Sequence, residues 1–366
     1  MKNIIDYAEE EQASFSNKPF HIIDSLVLSQ LAYLNFDGFV FDLASSEEAV
    51  LLGNIKEMEN WEALYRNTRD SPRNRKLLLA LINSPRFCNM KINYYVNKLD
   101  YAKEKQFSAV TFYLSDGTAY IAFRGTDATL IGWKEDFNMA FSSIVPSQEE
   151  SVLYLNSIGR RISGSLKVGG HSKGGNLAVY AAMKCEADIR DRIIDVFSHD
   201  GPGFREEIFD SAEYRNIKER IHQSLPQSAL IGMLLEHHEK YEVVRSSRIG
   251  IMQHDPFSWM IKDGDFQYRE DINNVAAYTN RTIQIWLNSL DDEGRELFVD
   301  TLYSVIKATG AKSFSDLTED WWEKSHAALD AIWEIDEETR HFVLQTIRSL
   351  IVIAFKSLPG GKILTN

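Results

Sequence analysis

Residues 168–182, VGGHSKGGNLAVYAA, set one serine among glycines, and Gly170-His171-Ser172-Lys173-Gly174 fits the spacing G-x-S-x-G. Where that spacing joins a strand to a helix, the chain turns so sharply that the serine oxygen is pushed out of the corner. Small neighbours then avoid backbone collisions. Leu177, Ala178, Ala181 and Ala182 follow as good helix formers that let a helix pack closely on a sheet. A helix starting at Lys173 offers backbone N–H groups and a positive dipole end to an oxyanion, with Lys173 donating from its backbone. The chemistry this implies is attack on a carbonyl by Ser172.

A serine hydroxyl is mostly neutral near pH 7 and needs a base, and the chain order that goes with this elbow is serine, acid, histidine. Of the nine histidines, His21 and His171 precede the serine, and His326 and His341 fall in a helical tail. His237 and His238 end an apolar helical segment, and His222 lies in a strand pattern. His254, in GIMQHDPFSW, follows the last strong strand and is the candidate base. Asp200, in VFSHDGPGF, is the first candidate acid, because it falls just after the strand that should follow the nucleophile helix. Asp255, beside His254 and before Pro256, ranks second, and a shell of neutral hydrogen bonds around His254 is a third arrangement.

The elements that must position these groups read as an α/β fold. FSAVTFYL and TAYIAFRG are rich in β-branched and aromatic residues and are joined by SDG, which predicts an antiparallel hairpin. Then come a helix near 149–163, a strand near 166–170, the helix after Ser172, and a strand near 193–198, with further strand candidates at 219–223 and 241–247. Strands alternating with helices predict a mainly parallel central sheet. Residues 19–35 have helical spacing, with Asp24 or Ser25 as the cap, and 57–99 continue in mixed helical patterns. The first hundred residues are thus expected to be a helical lead-in. After about 271 strand signals stop. Helices are expected over 293–309, ending at Gly310, and over 337–357, starting after Asp336. The expected organisation is a hydrolase-like unit over 1–265, with its core at about 105–260, and a helical C-terminal extension over 266–366.

The chain has 366 residues, 44% hydrophobic and 25% charged, as in an ordinary globular protein able to bury a large core. A net charge of −13 without a dense basic run argues against nucleic acid as a partner. Cys88 and Cys185 stand far apart, with no Cys-x-x-Cys or Cys/His spacing, so no disulfide framework and no metal site is expected. The N-terminus turns acidic before an apolar signal core develops, and SLIVIAFKSL is too short to span a bilayer. A cytoplasmic protein without stable membrane insertion is the expectation. Nothing in the pattern sets the oligomeric state.

YIAFRGTD, then GWKEDF, then GGHSKGGNLA resemble the class 3 lipase branch of α/β hydrolases, over roughly residues 105–260. DSLVLSQLAYLNF, GHSKGGNLAVYAA, DGPGF and QHDPFSW are more closely similar to the Mbeg-like family of bacterial hydrolases. The resemblance implies an α/β-hydrolase fold with Ser172 as nucleophile, His254 as base, and Thr126 as the second oxyanion donor beside Lys173. Arg124 and Asp136 become supporting polar partners. The chain departs from the lipase pattern at the acid: IHQSLPQSALIGMLLEHHE offers Ser224 and Ser228 where those lipases carry an aspartate. In that segment Leu230, Met233 and Leu234 belong to a short apolar helix, read as a substrate wall or lid or else as a core helix. Trp321 and Trp322 read as packing residues. The expected activity is hydrolysis of a small acyl ester or lipid without a cofactor. A hydrolase-fold interaction protein with weak or no chemistry, and a thioesterase or acyltransferase using the same serine, are the alternatives.

Overall fold

The computed structural model describes residues 1–43, 48–100, 102, 105–126, 135, 138–139, 144–229, 231–233, 235–270, 272, 278, 281–282, 285–286, 289–308 and 330–356. Its centre is a nine-stranded sheet. In chain order the strands are β1 (Val50–Leu51), β2 (Lys91–Asp100), β3 (Lys105–Tyr113), β4 (Ala119–Phe123), β5 (Leu166–His171), β6 (Ile193–His199), β7 (Ile221–Pro226) and β8 (Tyr241–Val244). The short β9 (Ile261–Lys262) and β10 (Asp265–Phe266) pair with each other, and β11 (Tyr268–Arg269) closes the main sheet beside β8. The order is β1-β2-β3-β4-β5-β6-β7-β8-β11. β4 to β8 run parallel, and both flanks are antiparallel. This is an α/β-hydrolase-like fold with helices on both faces and a helical C-terminal part.

One face is covered by α1 (Ile4–Glu10), α2 (Ile22–Leu31) and α3 (Ser71–Asn83), the other by α4 (Pro146–Arg161) and α5 (Lys173–Lys184). The first hundred residues are therefore a structural layer: α2 packs on β4, β5 and β6. The helical expectation for 57–99 fails at β2, a ten-residue strand. Its period-2 pattern is broken by a bulge, where Tyr94 adopts φ 56° and the register against β3 shifts between Asn93 and Val96. The expected cap of α2 also moves. His21 is the N-cap, and Asp24 sits three residues in, accepting from the His21 N–H at 2.7 Å.

α5 lies very close to the sheet. A Cβ on Gly170 would come within 2.3 Å of the Gly174 backbone, and one on Gly174 within 2.1 Å of the Phe123 carbonyl. Both positions need glycine for contact, and this draws the helix N-terminus over the ends of β4 and β5. Beyond the sheet, α6 (Asp292–Ala308) and α7 (Glu337–Lys356) contact each other, and Trp286 donates its indole N–H to the Thr346 carbonyl at 3.0 Å. Asp336 caps α7 by accepting from the Thr339 N–H at 2.9 Å. Gly310, Trp321 and Trp322 lie outside the described residues.

Candidate active site

The parallel register carries three strand ends to one edge: His171 of β5 faces His199 of β6, which faces Ser224 of β7. Open parallel sheets bind ligands at this carboxyl edge. Ser172 turns the corner there with φ 59° and ψ −135°, a conformation that costs a non-glycine residue about 1–3 kcal/mol. The turn is held on both sides. The Ser172 N–H donates to the His199 carbonyl at 2.9 Å, and the Gly175 N–H donates to the Ser172 carbonyl at 2.8 Å.

Asp200 follows β6 and is also left-handed, with φ 50°, and only 1% of its surface is exposed. Its N–H donates to the Ser224 carbonyl at 2.8 Å, which fixes it between the ends of β6 and β7. Oδ1 accepts from the Gly232 N–H at 3.0 Å, and Oδ2 lies 2.6 Å from Nδ1 of His254. The structure therefore brings together the histidine and the first-ranked acid. Asp255 points elsewhere, to Arg73 and Arg248, each at 2.9 Å. The vacancy at the β7 position is filled by Ser224, which supplies its backbone carbonyl to Asp200 instead of a carboxylate to His254.

The Gly-Pro-Gly turn after Asp200 is pinned by α5. Asn176 donates to the carbonyls of Pro202 and Gly203 at 3.1 and 2.9 Å, and Gln148 donates to Asn176 at 2.8 Å. His254 closes a short 3-10 turn, Gly250–His254. Gln253 anchors that turn, accepting from the Ser228 N–H at 2.8 Å while its carbonyl takes the Trp259 indole N–H at 2.9 Å.

Thr126 is half-buried and follows Gly125 just past β4. A Cβ on Gly125 would lie 3.1 Å from Cβ of Ser172, so this loop runs against the Ser172 corner. Lys173 begins α5. Its side chain, 1% exposed, is buried in an ion pair with Glu135 at 2.8 Å and donates to the Gln106 carbonyl at 3.0 Å. Glu135 in turn accepts from the backbone N–H groups of Gln106 and Ser147 at 3.0 and 2.9 Å. The supporting carboxylate is thus Glu135, whereas Asp136 lies outside the described residues. Arg124 donates to the Asn97 side chain at 3.0 Å.

The expected substrate wall differs from its sequence pattern. Residues 231–233 form a turn, and Leu235 has φ 67°, so no short helix forms among the described residues there. The physical reason is Gly232: a Cβ there would meet Asp200 Oδ1 at 2.3 Å, and its N–H is spent on that carboxylate. Met233 is half-buried in the turn, and Leu230 and Leu234 lie outside the described residues. A cavity of about 200 Å³ adjoins α5, lined by Met139, Gln148, Asn176, Phe204, Ile208 and Leu235 among others.

Sequence reasoning missed four contributors. Gly232 and Glu135 hold Asp200 and Lys173. His171, set aside because it precedes the serine, lies with its ring centroid 4.5 Å from that of His254, and Tyr33 meets it from the end of α2. The detectable signals were a glycine interrupting an apolar run and a histidine inside the elbow itself. Burial holds the pKa of His171 well below the usual histidine range, with the nearby His254 acting in the same direction. Among the described residues no group of three or more His, Cys, Asp or Glu side chains forms a metal site, and no helix is long and apolar enough to cross a membrane.

Comparison with known proteins places this site in a family. No curated protein matches the chain. Among solved structures, that of M37 lipase is 15% identical with a TM-score of 0.39, over 58% of this chain and 70% of that one. The native Rhizomucor miehei lipase propeptide complex is 15% identical with a TM-score of 0.38, over 62% of this chain and 68% of that one. The family model described as Mbeg1-like matches residues 81–304, more than half of the chain and all of the site except Tyr33. The chain belongs to the Mbeg1-like family.

Proposed function

We propose that this protein is a serine hydrolase of carboxylic esters, with Ser172 as nucleophile, His254 as base and Asp200 as the acid that orients it. The observation that carries the reading is the 2.6 Å contact between His254 Nδ1 and the buried Asp200 carboxylate, at the sheet edge where Ser172 turns its corner. A proton on Nδ1 directed at Asp200 leaves Nε2 as the basic nitrogen. Ser172 Oγ attacks the ester carbonyl carbon while its proton passes to His254 Nε2. Asp200 stays ionised and stabilises the imidazolium.

The oxyanion takes hydrogen bonds from the backbone N–H groups of Lys173 and Thr126, and each such donor contributes on the order of 10²–10³ in rate. The tetrahedral species collapses, the bond to the alcohol oxygen breaks, and His254 returns the proton to the departing alcohol. Water then adds to the acyl group, gives its proton to His254, and Ser172 leaves as the hydroxyl. The buried Lys173–Glu135 pair holds the first residue of the nucleophile helix against β3 and α4 while charge develops. All of these groups belong to residues 1–265, and we assign the chemistry to that unit and treat 266–366 as an extension that is helical once β11 (Tyr268–Arg269) has completed the main sheet. Met233 is assigned to the substrate side of the site.

A fluorophosphonate probe tests the proposal. Stoichiometric labelling at Ser172, abolished in Ser172→Ala and strongly slowed in His254→Ala, is expected. A folded chain that takes no label would make it a hydrolase-fold interaction protein instead. A panel of esters and thioesters of graded chain length then separates ester hydrolysis from thioesterase and acyltransferase chemistry, which share the acyl-enzyme.

A further inference from the structure

His171 occupies the elbow itself, yet the mechanism above gives it no step. Its Nε2 lies 2.7 Å from the backbone carbonyl of His254, and a carbonyl only accepts, so Nε2 carries the proton. Its Nδ1 is then an acceptor, and the Tyr33 hydroxyl stands 3.2 Å away, placed to donate. The opposite tautomer would set a nitrogen lone pair against the His254 carbonyl. A doubly protonated ring would put a cation beside His254, whose ring centroid is 4.5 Å away and which becomes charged on taking the serine proton. His199 is the register partner of His171 on the neighbouring strand, and the positive charge of Arg69 also disfavours a second proton on the ring. Burial acts in the same direction and is the larger cause.

The same tyrosine hydroxyl touches the other half of the site. A Cβ on Gly125 would fall 2.2 Å from Tyr33 Oη, so the hydroxyl packs directly on the residue before Thr126. It also lies 3.5 Å from the His171 carbonyl, next to Ser172. Tyr33 is 138 residues from His171 in the chain and comes from the layer on the opposite end of the sequence.

We infer that His171 is a positioning residue, locked by Tyr33 as the neutral Nε2–H tautomer, which holds His254 in register with Ser172 by donating to the His254 carbonyl. This rests on the serine-hydrolase reading for its consequence and on geometry alone for its tautomer. The test therefore has two arms.

The first arm is long-range ¹⁵N–¹H correlation of the full chain with ¹⁵N-histidine, which reads tautomers without any turnover. His171 is expected to be protonated at Nε2 from pH 8 down to pH 6, and in Tyr33→Phe its Nδ1 signal should move toward a mixed tautomer. A His171 that carries its proton on Nδ1, or that titrates in this range, overturns the inference.

The second arm is ester turnover. His171→Phe keeps a flat ring but no donor and should lower kcat on the order of 10²-fold with KM nearly unchanged, because the base is misplaced and binding is not. His171→Gln, whose amide N–H reaches toward the Nε2 position, should restore turnover to within about tenfold of wild type. Tyr33→Phe should fall between them. Equal kcat in wild type, His171→Phe and Tyr33→Phe overturns the inference while leaving the serine mechanism intact. Absence of turnover in the wild type, with the expected tautomer present, instead defeats the serine mechanism and leaves the tautomer lock standing.

Discussion

Two aspartates, Asp24 and Asp200, are almost equally buried, at 0% and 1% exposure, and their surroundings separate a structural carboxylate from the one proposed to orient the base. Asp24 is saturated. Its oxygens accept from Tyr7 Oη, Arg86 Nε, Arg86 Nη2 and the His21 N–H, at 3.0, 2.8, 2.5 and 2.7 Å. Arg86 spends its remaining N–H groups on the carbonyls of Ala13, Lys18 and Pro19. A guanidinium does not give up its proton, so the counter-charge of Asp24 is permanent at ordinary pH. The cluster ties the N-terminal segment and α2 to the turn that follows α3.

Asp200 instead holds one backbone N–H and one imidazole. Its partner is an imidazole and not a permanent cation, and in the proposed mechanism the far nitrogen of that ring takes the serine proton. Burial of a carboxylate thus says little about its role. What decides is whether the counter-group is a permanent cation or a titratable one.

The comparison can be broken in several places. The largest effect is expected for Asp200→Asn, which keeps shape but stabilises the wrong tautomer of His254: kcat should fall on the order of 10³–10⁴-fold, with little change in the urea midpoint. Arg86→Met strands Asp24 as an unpaired buried charge and should cost about 3–5 kcal/mol in urea unfolding, while turnover per folded molecule stays near wild type. If Arg86→Met left stability untouched, the structural assignment of Asp24 would be wrong.

A smaller effect comes from His199, fully buried, whose Nε2 shares a hydrogen bond with Ser25 Oγ at 2.9 Å and whose pKa is pushed by burial from 6.5 to about 3. The unfolded chain binds this proton first, so stability present above pH 6.5 is lost as pH falls toward 3. Urea titrations should show a loss of about 2 kcal/mol between pH 6.5 and pH 5, and His199→Gln should flatten that slope. The smallest effect belongs to Asp255→Asn. Its partly exposed pairs with Arg73 and Arg248 should contribute less than about 1 kcal/mol, and turnover should change by no more than about tenfold. A loss at Asp255 as large as that at Asp200 would reverse the ranking of the two acids.

Legibility in the sequence followed the range of the determining contacts. The elbow is specified within fifteen residues, by a strand, small corner residues and helix formers, and the strands around it follow the same local rules. β2 was hidden because a bulge at Tyr94 interrupts its alternation. The 229–235 run read as a helix because six apolar residues mask one glycine whose purpose, reaching the Asp200 carboxylate, is visible only across 32 residues. The supports of His254 are more distant still: Tyr33 reaches His171, and His171 reaches the His254 carbonyl, only when the end of α2, β5 and the 250–254 turn are folded together. Side chains could be nominated for the reaction from type and order, but several contacts that orient them end on backbone atoms, such as the Gly232 N–H and the His254 carbonyl, which carry no residue-type signal.

The most direct test of the account is the mass of the chain quenched within the first turnover of a p-nitrophenyl ester. The account predicts one added acyl group, located on the peptide containing Ser172 and absent from Ser172→Ala, with its formation slowed in Asp200→Asn. Ester hydrolysis that persists in Ser172→Ala, or an acyl group carried elsewhere, would contradict it.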